Sequence, residues 1–149
     1  MEKNQAGVDH VVYVDARDGE LEKLLSGAKT MIARGATGRK LPHGRVRAGD
    51  RLFFTRNNGE GLVRASAAVS EAFHSEKLDS ETSRLMIESN QGKLQLGEAL
   101  RKRWSGKRFL VLVSVQDVTE LEPFAIDRSA YSSMDDWLPV GDIETVRRG

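Results

Sequence analysis

Apolar and polar positions alternate through much of the first half of this chain. In residues 8–15, Val8, His10, Val12 and Val14 fall on one face while Val11 and Tyr13 add strand-forming side chains, which predicts a first strand. The spacing turns helical in residues 18–26, where Leu21, Leu24 and Leu25 make a short stripe that Gly27 stops. Residues 29–34 predict a second strand. Residues 35–48 contain Gly35, Gly38, Gly44 and Pro42 and read as a long loop. A strand resumes over residues 52–55, and Asn57-Asn58-Gly59 supplies a hairpin turn, because Asn and Gly tolerate positive φ. The returning strand places Val63, Ala65, Ala67, Val69 and Phe73 on one side, with Arg64, Ser66, Ser70 and His74 on the other.

The second half carries helical spacing over residues 80–104, in two pieces broken around residues 90–92. The second piece aligns Leu96, Leu100 and Trp104 on one stripe. Residues 108–118 form the most apolar segment. Phe109, Val111, Val113 and Val115 lie on one face and Leu110 and Leu112 on the other, the mark of a strand buried on both sides. Residues 121–126 predict an edge strand, and the remainder, through Trp137 and Ile143, a tail folded back on the body. The expected fold class is α+β: a small mixed β-barrel of five to six strands with helical insertions. Residues 1–149 read as one domain, with 119–149 as a C-terminal extension packed on the body.

Composition narrows the function classes. The 39% hydrophobic and 30% charged content of 149 residues is that of an ordinary globular domain with one core. No apolar run has the length of a membrane span, and the polar first seven residues lack a signal-peptide core, so cytoplasmic residence and no membrane partner are expected. The absence of cysteine removes disulfides, thiolate metal sites and thiol nucleophiles. His10, His43 and His74 have no paired ligand spacing, so no metal and no cofactor are expected. The Gly35–Lys40 stretch lacks the glycine spacing and hydroxyl of a Walker loop, which excludes nucleotide hydrolysis of that kind.

Charge is unevenly placed. The net charge is +1, yet eight Lys or Arg stand against the single acid Asp50 between Lys29 and Arg56, a local excess that suits a phosphate-bearing partner. From Asp117 to Glu144 eight acids face the single Arg128, so the two halves can also neutralise one another.

Gly27, Lys29 and Arg34 fit the signature G-x-K-x-x-E-x-R of ASCH domains, and Gly49-Asp50 before an apolar strand fits the Gly-Asp that follows it. Over roughly residues 21–118 the chain resembles that family, whose fold is similar to the PUA and EVE β-barrels. The resemblance implies a PUA-like barrel that binds RNA or a modified nucleotide. The chain departs from the signature at Ile32, where the family has Glu. A branch of small bacterial members that hydrolyse acetylated cytidine has a Thr nucleophile there, working with the motif Lys and a later Glu. That comparison makes Lys29 and Glu88 the candidates for an amidohydrolase on an acylated nucleoside. Ile32 offers neither carboxylate nor hydroxyl, and Thr30 is the nearest hydroxyl, so binding is favoured over catalysis.

The candidate nucleic-acid contacts are Lys29 and Arg34 as ligand anchors, and Arg39, Lys40, Arg45 and Arg47 as loop contacts to phosphates. Trp104 reads as core. Trp137 either stacks on a base or pins the tail. A protein-interaction module using the acidic tail is the third functional reading.

Overall fold

The computed structural model describes residues 7–148; residues 1–6, within the polar start considered above, and residue 149 lie outside it. Among the described residues, seven strands join one curled sheet. β1 (Asp9–Val14) is followed by α1 (Glu20–Ser26), β2 (Met31–Ala36), β3 (Arg51–Arg56) and β4 (Leu62–His74). Three short helices come next, α2 (Ser80–Ser89), α3 (Gln91–Leu94) and α4 (Glu98–Trp104). β5 (Phe109–Ile126), β6 (Trp137–Gly141) and the two-residue β7 (Arg147–Arg148) complete the chain. The spatial order is β2-β5-β4-β3-β1-β6, with β7 added on β5. β1 and β3 run parallel, while the other pairs are antiparallel.

The alternating residues explain the layers. Ile32, Val12, Phe54, Val111, Val113 and Trp137 fill the inside of the curl together with Leu21 and Leu24 of α1. The opposite face of β2 and β5, with Met31, Ala33, Leu110 and Leu112, packs against Ile87, Leu94, Leu100 and Trp104 of the three helices. β5 is therefore covered on both faces, as its unbroken apolar run requires. This α+β half-barrel with helical insertions is the fold class that the patterning predicts. No helix among the described residues is long and apolar enough to cross a membrane.

Several local expectations change. The second strand begins at Met31, so Lys29 precedes it. The segments 108–118 and 121–126 are one strand, β5, in which Asp117 takes φ 56°. Register shifts between β4 and β5 accommodate the length, and one falls between Val69 and Glu71. Each such shift reverses the side-chain parity. Ala72 therefore packs toward the core and Phe73 is left 46% exposed. Phe109, at the start of β5, is half-buried instead of core. The helical region divides into three pieces, the last beginning after Gln95 at φ 51°. Gly97 is required where it stands: its N–H donates to Asp18 Oδ1 at 2.9 Å, and a Cβ there would lie 2.2 Å from that oxygen.

Candidate functional site

Lys29 leaves α1 through Gly27, whose φ of 84° turns the chain and whose N–H returns to the Leu24 carbonyl. Its side chain is fully buried. Nζ donates to the Leu94 carbonyl at 2.5 Å and lies 3.2 Å from Glu20 Oε2. Glu20 is itself fixed, since Oε1 accepts the Asp15 N–H at 2.7 Å. Burial pushes the Lys29 ammonium below its usual range, and the Glu20 charge partly opposes that shift.

Arg34 projects from β2 across the gap in the half-barrel. Nη2 donates to the carbonyl of Tyr13 on β1 at 2.6 Å, and Nη1 to that of Ala33 at 2.9 Å. β2 and β1 are not ladder neighbours, so the guanidinium bridges two strands that no backbone bond joins. It lies between two indoles, 5.8 Å from the ring centre of Trp104 and 5.5 Å from that of Trp137. Nε is buried with no hydrogen-bond partner among the described residues, and Asp136 Oδ2 stands 3.4 Å away. The cleft beside it is lined by Tyr13, Asp15, Glu20, Arg34, Asn57, Leu100, Arg103, Trp104 and Asp136. Its volume of 20 Å³ holds about one water.

Trp137 is fully buried and pins the tail. Its indole N–H donates to His10 Nδ1 at 3.0 Å, and His10 Nε2 meets Asp50 Oδ2 at 2.8 Å. Asp50 also accepts the backbone N–H groups of Val8 and Arg47, which explains the Gly-Asp pair: Gly49 turns at φ 92° and Asp50 ties the turn together.

Arg39, Lys40, Arg45 and Arg47 all lie exposed on the loop that leads to this turn. Arg39 sits over the Phe109 ring, 3.6 Å from Glu76. The loop is held to the end of β4 by His43 Nε2 on the Ser75 carbonyl and His74 Nε2 on that of Val46, both at 2.8 Å. A cavity of about 10 Å³ between loop and sheet has Arg34, Lys40, His43 and Phe109 among its walls.

Of the sequence candidates, then, Lys29 and Arg34 flank one buried polar cluster, whereas the four loop cations form a separate exposed surface. Glu88 is not in the cluster. It lies exposed on α2 with both carboxylate oxygens 2.8 Å from Arg101 Nη2, and the carboxylate beside Lys29 is Glu20. Thr30 faces solvent and Ile32 is fully buried in the barrel core, so neither brings a hydroxyl to Lys29. Trp137 offers no exposed stacking face. Sequence reasoning missed Tyr13, Glu20, Asn57, Arg103 and Asp136, whose only signals were an acid in a helix's first turn and an acidic pair before a tryptophan. Among the described residues no group of three His, Asp or Glu side chains is placed to hold a metal ion.

The curled sheet carries its helices against one face, over β2 and β5. This arrangement is the ASCH fold: a point variant of an ASCH protein from Zymomonas mobilis superimposes with a TM-score of 0.68 at 14% identity, covering 94% of this chain and 93% of that one. The unsubstituted Zymomonas mobilis protein gives 0.66 at 15% identity, covering 92% and 90%. No family model and no curated protein matches the sequence.

Proposed function

We propose that this protein binds RNA or a modified nucleotide, with a base edge directed to the cleft at Arg34 and the phosphate backbone following the Arg39–Arg47 loop. The observation that carries the reading is the loop itself. Its four cations are exposed, and Arg39 alone has a carboxylate within 4.0 Å among the described residues. Arg51 and Arg56, which belong to the same basic stretch of sequence, are instead paired with Asp9 and with Glu22 and Glu60. An exposed cationic loop on a folded scaffold is suited to contacts that position a nucleic-acid chain. The ASCH-type fold supports the same reading. Filter binding of single-stranded RNA oligomers at low salt tests it. Retention of RNA by folded protein is the expected result, and its absence overturns the reading.

A second reading, hydrolysis of an acylated nucleoside such as acetylcytidine, draws on Lys29, whose ammonium is depressed by burial beside Glu20. A covalent route needs a hydroxyl or thiol next to such a base. Ile32 supplies none, so the expected outcome with acetylcytidine is no release of cytidine above the uncatalysed rate.

A further inference from the structure

We propose that the Asp136 carboxylate occupies the ligand's own position at Arg34, so that this side chain gates the cleft and the group it keeps out is a carbonyl-bearing base edge. This rests on the nucleotide reading of the site.

Arg34 is 94% buried, and both of its terminal nitrogens already serve backbone carbonyls. Of its three nitrogens, Nε alone has no hydrogen-bond partner among the described residues. Asp136 Oδ2 stands 3.4 Å from it but is not placed to accept its N–H. A buried N–H left unsatisfied is costly, so this one favours any acceptor that approaches more closely than Asp136 does. The Asp136 side chain is 43% exposed and stands at the mouth of a space that admits about one water. No nucleobase fits while it is there.

The walls differ in how readily they can yield. Glu20, Arg34 and Trp104 belong to α1, β2 and α4. Residues 127–136 run between β5 and β6 with no regular structure of their own. Arg128 holds this segment by donating to the Ser132 and Asp135 carbonyls, with its guanidinium 5.2 Å from the Tyr13 ring centre. The Tyr13 N–H donates to the Asp136 carbonyl at 2.9 Å. The Asp136 side chain can therefore swing into solvent while its backbone keeps its anchor.

The chemistry of the replacement follows from what stays behind. Arg34 Nε needs an acceptor, while Asp15 and Glu20 remain in the walls and disfavour a phosphate. A neutral carbonyl oxygen meets both conditions. Uracil, cytosine and guanine carry one, whereas adenine offers only ring-nitrogen acceptors.

Calorimetric titration with uridine and with adenosine tests this on the full chain, comparing wild type with Asp136→Ala and Asp135→Ala. If Asp136 fills the site most of the time, apparent affinity is reduced by the fraction of open molecules. Asp136→Ala then binds uridine about tenfold more tightly than wild type, and adenosine no better. Asp135→Ala removes the same charge one residue away and leaves the affinity unchanged. An equal gain in both variants reduces the effect to net charge and overturns the gate. Unchanged uridine affinity in a folded Asp136→Ala protein that still retains RNA overturns the gate and spares the nucleotide reading. Failure of every variant to bind uridine, adenosine or RNA removes both. A thermal melt of each variant confirms that it is folded.

Discussion

The Trp137 indole N–H and His10 Nδ1 are joined at 3.0 Å, and this bond decides which ring nitrogen of His10 carries the proton. An indole nitrogen only donates, so Nδ1 must accept, and the proton sits on Nε2, from which it is donated to Asp50. A neutral His10 thus links the tail strand β6 to the Gly-Asp turn before β3.

This arrangement predicts a pH dependence of stability. Burial holds His10 below the ordinary histidine value of about 6.5, with Asp50 opposing the shift. The unfolded chain therefore binds the proton more readily than the folded one. Stability is complete above that ordinary value and declines as pH falls below it, levelling once the folded-state value is passed. Thermal melts between neutral and mildly acidic pH read this out. His10→Gln, which does not titrate, is expected to lower the neutral melting point but to show a flatter fall on acidification.

The Lys29–Glu20 pair predicts strong coupling. Lys29 is fully buried and the Glu20 side chain is 4% exposed, so removing one partner strands the other's charge. Lys29→Met and Glu20→Gln should each cost about 3–5 kcal/mol, the usual result of breaking a buried pair. The double variant is expected to be more stable than either single one. Urea denaturation midpoints of the three proteins measure the difference, and strictly additive losses would show that the two groups do not sense each other.

The exposed loop predicts a salt signature. Each phosphate neutralised on a single strand contributes about −0.7 to the slope of log K against log salt. Arg39→Ala and Arg45→Ala should each flatten the slope by about that amount and weaken all RNA sequences alike, since phosphate contacts carry no sequence information. A loss confined to one sequence would assign these residues to base recognition instead.

Much of the fold was legible because burial on one face writes itself as alternation: Val12 and Val14, Ala65 and Ala67, Val111 and Val113 all lie in the core as their spacing requires. Phe73 was misread because a register shift leaves no mark in composition. It reverses inside and outside from one residue to the next. At the site, Lys29 and Arg34 stood out by motif and the loop cations by charge density. Their partners did not. Glu20 reads as an ordinary first-turn acid, and Asp136 reaches Arg34 only because β6 returns to pair with β1. Glu88 was selected by sequence order, while the helices turn it outward to Arg101.

The chain contains two tryptophans, and both flank the Arg34 guanidinium. Its near-ultraviolet emission therefore arises almost wholly from the two indoles on either side of Arg34. The protein carries a built-in optical reporter there, one that needs no label. A shift of Arg34, a swing of Asp136 or the arrival of a base alters the field around the same two indoles, so the state of this one site can be followed as a change in colour and intensity.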